Sequence, residues 1–465
     1  MERFDVFVIG GGGTGSEVAF SLAGARDLRI GIAERDKLGG ECNHYGCVPT
    51  KAMLASAKVA ASARNASRYG VHVGSVEVDF PAIMQRAREI IEGQSGEGAK
   101  PFEEQGIAVY LQEARLVGPH RIELADGTEI EADRIVLTTG TEAAVPPIDG
   151  LRDGPYWTNK EAIWSPKEVP ASLAVIGSGP IGLEFGQIYA RFGAEVTVVE
   201  LADRTLPGED RDSSEAICDA LEAEGIRLLV DTTSCEAAHG PDGWQLDFED
   251  GEHVHAEQLL VAIGRRPVFD VHDLDAAGVD LTDRGYPVLD DTLRTTAGHI
   301  WAAGDATGDL LFTHVGTYEA GLVVDDILGR PRKRDYRVVP RVTFTEPEVG
   351  SVGWAEDQAH DRGHEVVTSL LRFADNERAD IEGKTYGIVK LVADARTGEL
   401  LGGHIVGEGA GEMIHEVVAA MAGRIPVRAV AEAIHAYPTL SESVKGAFAE
   451  LAEQLPASTP RSKTM

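Results

Sequence analysis

The sequence predicts an α/β protein with two Rossmann-like dinucleotide-binding domains and a C-terminal α+β domain. A strand, a glycine-rich turn, a helix and a second strand follow one another near the N-terminus, and the same order returns in the middle of the chain. After about residue 337, strands are followed by helices. The expected segments are 1–150 and 271–336 for the first dinucleotide domain, 151–270 for the second, 337–455 for the α+β domain and 456–465 for a flexible tail.

The charge of the chain limits its partners. Its 465 residues include 43 Lys and Arg against 76 Asp and Glu, a formal net charge of −33. Phosphate backbones and anionic lipids attract Lys and Arg, so this balance argues against nucleic-acid binding and membrane anchoring. No apolar run approaches the ~18 residues of a membrane span, and no targeting segment is visible. We therefore expect a cytoplasmic protein.

The first glycine-rich turn has the spacing of a dinucleotide-binding fingerprint. Gly10, Gly12 and Gly15 follow the strand-like run 4–9 and precede a helical stretch. In such a turn the glycines permit a tight bend, close approach of a pyrophosphate and close packing of helix on strand. The phosphate lies at the helix N-terminus. Glu34, at the end of the next strand, is placed to accept hydrogen bonds from ribose hydroxyls.

The second turn repeats this pattern with Gly177, Gly179 and Gly182, and Glu200 ends the following strand. A carboxylate here accepts a hydrogen bond from a free 2′-hydroxyl and repels a 2′-phosphate, which favours NAD(H) over NADP(H). Arg204 lies close enough in sequence to weaken that preference. Two fingerprints imply two dinucleotides, and one flavin with one nicotinamide is the economical pairing.

Two cysteines lie close together at the start of a predicted helix. Cys42 and Cys47 can close a small redox-active ring, and a helix N-terminus stabilises a thiolate. We expect Cys47, nearer the helix, to be the stabilised thiolate, and Cys42 to be the more exposed exchange thiol. His44 is interpreted as a packing or hydrogen-bonding residue. A metal half-site is the alternative, but no second Cys or His pair at metal spacing accompanies these residues, so we expect no metal.

Together these motifs resemble the class I pyridine nucleotide–disulfide oxidoreductases, the family of dihydrolipoamide dehydrogenase, glutathione reductase and mercuric reductase. The resemblance covers nearly the whole chain in order. It also includes the connecting segment 262–267 and the second flavin motif 303–305. It implies an FAD domain, an NAD domain, a central region and a C-terminal dimerisation domain. It further implies a homodimer, because the C-terminal segment of one family subunit closes the partner's active site.

The resemblance assigns the site residues. Lys51 and Glu184 hold the positions of the pair beside flavin N5, and a helix beginning near Thr313 is directed at the flavin. Electrons pass from NADH through FAD to Cys47 and leave through Cys42. The FAD-binding residues implied are Gly10, Gly12, Gly15, Glu34, Lys51, Gly140, Gly304 and Asp305, and those for NAD are Gly177, Gly179, Gly182, Glu200 and Gly264.

One departure from the family pattern lies near the C-terminus. Dihydrolipoamide dehydrogenases carry a His as general base and a Glu that orients it, whereas this chain has Tyr437 at the His position and retains Glu442. A Tyr with a pKa near 10 is a poor base at neutral pH. His435, two residues earlier, is a weaker candidate for the role. Efficient oxidation of a dithiol is therefore not assured.

The sequence thus predicts an FAD-dependent oxidoreductase of the dihydrolipoamide dehydrogenase type, acting between NAD(H) and a small or protein-borne dithiol or disulfide. Two alternatives stay open. One is an NAD(P)H-dependent reductase of a metal ion or a quinone, although mercuric reductases carry a C-terminal cysteine pair and no cysteine follows Cys235 here. The other is a flavoprotein subunit that docks a lipoyl carrier with little turnover of its own.

Overall fold

The computed structural model describes residues 1–25 and 27–456. The predicted tail 456–465 therefore lies, apart from Pro456, outside the described residues. None of the helices in the described part is both long and apolar enough to cross a membrane.

The N-terminal segment forms most of one twisted sheet and the helices that cover it. Its elements are β1 (Glu2–Ile9), α1 (Gly13–Ala25), β2 (Ile30–Ala33), α2 (Gly40–His44), α3 (Cys47–Arg64), α4 (Phe80–Ser95), α5 (Lys100–Glu104), β3 (Ala108–Tyr110), β4 (Ala114–Gly118), β5 (Arg121–Leu124), β6 (Glu129–Leu137) and β7 (Thr141–Ala143). The strand order is β3-β2-β1-β6-β5-β4. β1 runs parallel to both β2 and β6, so the predicted βαβ start lies at the centre of the sheet, where apolar strands are covered on both faces.

The middle segment repeats the arrangement on a second, four-stranded parallel sheet. Its elements are α6 (Asn159–Trp164), β8 (Ser172–Ile176), α7 (Pro180–Phe192), β9 (Glu195–Val199), α8 (Arg211–Ala223), β10 (Arg227–Leu229), β11 (Ser234–Gly240), β12 (Gly243–Phe248), β13 (His253–Ala256), β14 (Gln258–Val261) and β15 (Arg265–Pro267). The parallel order is β10-β9-β8-β14, and β11-β12-β13 form a separate antiparallel sheet. β15 pairs with β7 and so ties this segment to the first one.

The next segment returns to the first sheet. It contains α9 (Val271–Ala276), β16 (Ile300–Ala302) and α10 (Thr313–Ile327). β16 pairs in parallel with β6, and α10 packs along α1. The predicted return of 271–336 to the first dinucleotide unit therefore has a physical basis in one shared sheet.

The C-terminal segment is a five-stranded antiparallel sheet with helices. Its elements are β17 (Pro340–Thr343), β18 (Glu348–Gly353), α11 (Glu356–Asp361), β19 (Val366–Arg372), α12 (Glu377–Ile381), β20 (Ile388–Asp394), β21 (Leu400–Gly407), α13 (Ala410–Ala422), α14 (Val427–Ala431) and α15 (Ser441–Gln454). The strand order is β17-β18-β21-β20-β19. This is the α+β arrangement that the sequence predicts.

One apolar core joins helices of the first two segments. Met53 on α3 and Phe80 on α4 belong to the same buried cluster as Phe185 and Tyr189 on α7. Through this shared core α3 packs against α7, so side chains from the two helices come into contact. Lys51 and Glu184 are such a pair.

Candidate active site

The first glycine turn is tightly packed at two of its fingerprint positions and open at the third, which leaves room for a pyrophosphate. Gly10 has φ +108°, and a Cβ there would lie 2.3 Å from the carbonyl oxygen of Thr138. A Cβ at Gly15 would lie 2.0 Å from the carbonyl oxygen of Gly10. At Gly12, by contrast, the nearest heavy atom to a Cβ would be 3.9 Å away. The open position lies at the N-terminus of α1, where free N–H groups favour an anion.

Glu34 lies against the same turn. Its Oε2 accepts a hydrogen bond of 2.7 Å from the N–H of Gly11, and its Oε1 accepts one of 2.8 Å from the N–H of Asp36. The carboxylate is thus held at the end of β2, beside the glycine turn, where a ribose recognition role requires it.

The second flavin motif comes to the same place from far along the chain. A Cβ at Gly304 would lie 2.7 Å from Oγ1 of Thr14 on α1, so the backbone of Gly304 packs directly against the Thr14 side chain. Asp305 Oδ2 accepts a hydrogen bond of 2.7 Å from Oγ1 of Thr141, which directly follows Gly140 and is the first residue of β7. The open glycine cradle, the acid at the strand end and this second acid together fit FAD.

A buried acid that the sequence analysis missed anchors this motif. Glu319 on α10 is fully buried, and its Oε2 accepts a hydrogen bond of 2.6 Å from the N–H of Gly304. Its Oε1 accepts a hydrogen bond from the hydroxyl of Tyr336. Burial raises the pKa of Glu319 to about 7.

The second glycine turn has the same construction. A Cβ at Gly182 would lie 2.0 Å from the carbonyl oxygen of Gly177, whereas a Cβ at Gly179 would meet nothing within 4 Å. Glu200 Oε2 accepts hydrogen bonds of 2.8 Å from both the N–H and the hydroxyl of Ser178. Gly264 follows β14, the strand that neighbours β8 in this sheet. The open position at the start of α7 fits a second dinucleotide.

The two predicted cysteines lie side by side as free thiols between two helix ends. Cys47 is the first residue of α3, and Thr313 is the first residue of α10. Oγ1 of Thr313 donates to Sγ of Cys42 at 3.4 Å and lies 3.7 Å from Sγ of Cys47. One hydroxyl therefore touches both sulfurs. The sequence pointed to this helix start but not to its contact with the thiols.

The two thiols differ in acidity in the expected direction. A hydrogen bond from Cys42 lowers the pKa of Cys47 to about 6, and the Thr313 hydroxyl and the Lys51 ammonium act in the same direction. The same thiol–thiol hydrogen bond, together with burial, raises the pKa of Cys42. Cys47 is thus the better stabilised thiolate of the two.

The expectation about exposure is wrong for this structure. Cys47 is exposed, whereas Cys42 is only partly so. Cys42 lies within α2, whereas Cys47 is the first residue of α3.

The predicted Lys–Glu pair forms beside the thiols. Lys51 Nζ lies 2.8 Å from Glu184 Oε2, and the carboxylate is buried. The C-terminal segment completes the pair through Phe344. Its N–H donates to Glu184 Oε1 at 3.0 Å, and its ring centroid lies 4.4 Å from the Lys51 ammonium.

The three C-terminal candidates are not brought to the cysteines within one chain. Tyr437 is 70% exposed and its hydroxyl donates to Glu377, which raises the pKa of the phenol. His435 Nε2 lies 2.8 Å from Glu416 Oε1. Glu442 Oε2 accepts a hydrogen bond of 3.2 Å from the N–H of Thr439. All of these partners belong to the C-terminal α+β segment.

Two further residues near the redox segment were not predicted. Arg265 donates from Nε and Nη2 to Oγ1 and the carbonyl oxygen of Thr141, at 2.7 and 2.8 Å. Asn159 on α6 donates to the carboxylate of Glu41 at 2.8 Å. Arg265 lies in the connecting segment 262–267, so the family resemblance pointed to its neighbourhood. No local sequence pattern pointed to Asn159.

Comparison with known proteins covers almost the whole chain. The family model described as pyridine nucleotide-disulphide oxidoreductase matches residues 4–320, and the model of its dimerisation domain matches residues 339–448. A dihydrolipoyl dehydrogenase of Chlorobaculum parvum is 36% identical over 461 residues, which cover 97% of each chain. A mercuric reductase of Bacillus cereus is 35% identical over 447 residues, 95% of this chain and 70% of that protein. The solved structure of the HOCl-induced flavoprotein disulfide reductase RclA from Escherichia coli has a TM-score of 0.86 at 29% identity and covers 96% of this chain and 99% of that one.

Proposed function

The chain belongs to the pyridine nucleotide-disulphide oxidoreductase family, and we propose that it passes electrons between NAD(H) and a dithiol or disulfide substrate through Cys42 and Cys47, as a homodimer. The expected family, α/β fold class and FAD-dependent disulfide oxidoreductase activity are confirmed. The nicotinamide preference, the site residues and the dimer are the further parts of this proposal.

The contact of both sulfurs with the single hydroxyl of Thr313 is the observation that carries the proposal. Two thiols held against one donor, at the N-termini of α3 and α10, form a pair in which one sulfur is readily a thiolate. Bound FAD supplies a two-electron carrier between the nicotinamide and these sulfurs.

In the reducing direction, Cys42 Sγ attacks one sulfur of a substrate disulfide, and the Cys42 proton passes to the other substrate sulfur, which leaves as a thiol. The Cys47 thiolate then attacks Cys42 Sγ, which re-forms the Cys42–Cys47 disulfide and releases the second substrate sulfur. The pKa of about 6 keeps Cys47 deprotonated at neutral pH for this second attack. The substrate disulfide gains two electrons, and the cysteine pair loses two.

Glu200 supports NAD(H) as the nicotinamide. Its carboxylate is held beside the second glycine turn by Ser178, where it accepts from a 2′-hydroxyl and repels a 2′-phosphate. Arg204 is directed elsewhere, since its Nη1 lies 3.3 Å from Asp203 Oδ1 and its Nη2 donates to the carbonyl oxygen of Pro207 at 3.1 Å.

The positions of the C-terminal candidates support a dimer. Tyr437 and Ile434, 70% and 99% exposed, present an open surface within the matched dimerisation domain, and we expect this surface to face the active site of a second copy. The exposed phenol of Tyr437 is a hydrogen-bond donor and not a base at neutral pH. We therefore expect disulfide reduction to be the more efficient direction.

The test is NADH oxidation with oxidised lipoamide as the disulfide probe. Cys42→Ser and Cys47→Ser are each expected to lower this rate by at least about a thousandfold, because no second thiol remains to resolve the mixed disulfide. Cys235→Ser is the matched control and is expected to leave the rate unchanged. Substantial lipoamide reduction by the Cys42→Ser, Cys47→Ser double variant would refute the proposal.

Reduction of a soft metal ion is the second candidate. It is favoured by the exposed thiol of Cys47 beside Cys42 and by the similarity to the mercuric reductase of Bacillus cereus. NADH oxidation driven by Hg(II), lost in the same two serine variants, would support it.

A further inference from the structure

One buried side-chain amide connects the two ends of the segment 41–46, which contains Cys42 and leads to Cys47. Asn159, the first residue of α6, is 5% exposed. Its Nδ2 donates to Glu41 Oε1 at 2.8 Å and to the carbonyl oxygen of Tyr45 at 2.7 Å. Glu41 directly precedes Cys42, and Tyr45 lies two residues before Cys47. Both hydrogens of the amide are therefore committed to the same short segment.

Other contacts also hold this segment in place. Lys160 Nζ and Arg265 Nη2 lie 3.4 and 3.3 Å from the two carboxylate oxygens of Glu41. Nε1 of Trp164 donates to the carbonyl oxygen of His44 at 2.8 Å. Because Lys160 and Trp164 also belong to α6, the segment is attached chiefly to one short helix outside its own.

We propose that Asn159 is a positioning residue that holds residues 41–46 so that the sulfurs of Cys42 and Cys47 can join. The inference rests on the proposed redox role of these two cysteines. A disulfide tolerates only a narrow range of backbone separations. Fixing both ends of the segment in advance removes part of the ordering cost of closing the ring. Asn159 thereby raises the effective concentration of one thiol at the other.

The experiment measures the thiol–disulfide equilibrium of the holoenzyme without NADH or substrate. The protein is equilibrated anaerobically with mixtures of reduced and oxidised dithiothreitol, quenched in acid, alkylated and analysed by peptide mass. Formation of the Cys42–Cys47 bond transfers two electrons and two protons to oxidised dithiothreitol, whose own disulfide opens. Asn159→Ala is expected to lower the equilibrium constant for the protein disulfide about three- to tenfold, because the reduced segment is then less ordered and closing the ring costs more conformational entropy.

Two variants separate positioning from general damage. Glu161→Ala removes the capping contacts of α6, in which Thr158 N and Oγ1 donate to Glu161 Oε2 at 2.9 and 2.6 Å, and touches neither end of the segment. It is expected to leave the equilibrium constant unchanged. Glu41→Ala removes the acceptor of one Asn159 hydrogen bond without changing α6 itself. It is expected to lower the equilibrium constant for the disulfide, as Asn159→Ala does, and it tests the inference even if Asn159→Ala fails to fold.

An unchanged constant in both Asn159→Ala and Glu41→Ala would overturn the inference, and so would an equal shift in Glu161→Ala. A wild-type protein that never forms the Cys42–Cys47 disulfide in any mixture would instead overturn the proposed function, so the two failures are distinguishable.

Discussion

Replacement of Thr313 by Val isolates the hydroxyl that touches both sulfurs. Val keeps the shape of Thr but removes the donor at 3.4 Å from Cys42 Sγ and 3.7 Å from Cys47 Sγ. Hydrogen bonds to charged groups contribute about 1.5–3 kcal/mol, and long contacts to sulfur lie at the low end. One pKa unit corresponds to about 1.36 kcal/mol. The pKa of Cys47 should therefore rise by about one unit, from about 6 to about 7.

The assay is the pH dependence of alkylation at Cys47 in the reduced enzyme, followed by peptide mass. Wild type should reach half of its maximal rate near pH 6, and Thr313→Val near pH 7. Thr313→Ser keeps the hydroxyl and should behave like wild type. A midpoint in Thr313→Val within about 0.3 units of wild type, on the scale of the expected unit shift, would refute the reasoning. The thiolate would then be stabilised by Cys42 and the helix ends alone.

Three other changes have defined outcomes. Burial raises the pKa of Glu319 to about 7 from 4.5, so between these pH values the carboxyl is ionised in the unfolded chain but still protonated in the fold, and the free energy of unfolding should fall by up to about 3 kcal/mol as pH rises. Glu319→Gln should remove that loss, measured by urea unfolding at pH 4.5 and 7.5, and an identical pH dependence in both proteins would contradict it. Gly182→Ala places a Cβ 2.0 Å from the carbonyl oxygen of Gly177, so the KM for NADH should rise at least about tenfold while the FAD content is retained. An unchanged KM for NADH would argue against a nicotinamide at this turn. Tyr437→His should increase the rate of NAD⁺ reduction by dihydrolipoamide about a hundredfold, which is the lower range for a positioned general base. Tyr437→Phe should leave this rate unchanged. An unchanged rate in Tyr437→His would mean that proton transfer does not limit the oxidation of dihydrolipoamide.

The features that were predictable from sequence are those whose physics is local. Glycine spacing determines where backbone can approach backbone, so Gly10 and Gly15 could be assigned before any fold was known. The same holds for the cysteine pair, since Cys47 begins α3 as the helical pattern indicates. The Lys51–Glu184 contact joins residues 133 positions apart and was accessible only through the family resemblance.

The remaining site residues depend on contacts that no local pattern records. Thr313 meets Cys42 across 271 positions, and Asn159 meets Glu41 across 118. Neither residue type is distinctive in its own segment, so periodicity and spacing carried no signal. The exposure of the two thiols was predicted in the wrong order, because exposure depends on contacts with distant residues such as Thr313, which lies near both sulfurs.

The most direct test of the central claim is an anaerobic titration of the oxidised holoenzyme with NADH, followed by acid quench, alkylation and peptide mass. Each equivalent of NADH, up to one per subunit, should open one disulfide and make both Cys42 and Cys47 alkylatable. Consumption of NADH with the Cys42–Cys47 disulfide still closed would contradict it, because the electrons would then leave the protein without passing through the sulfur pair.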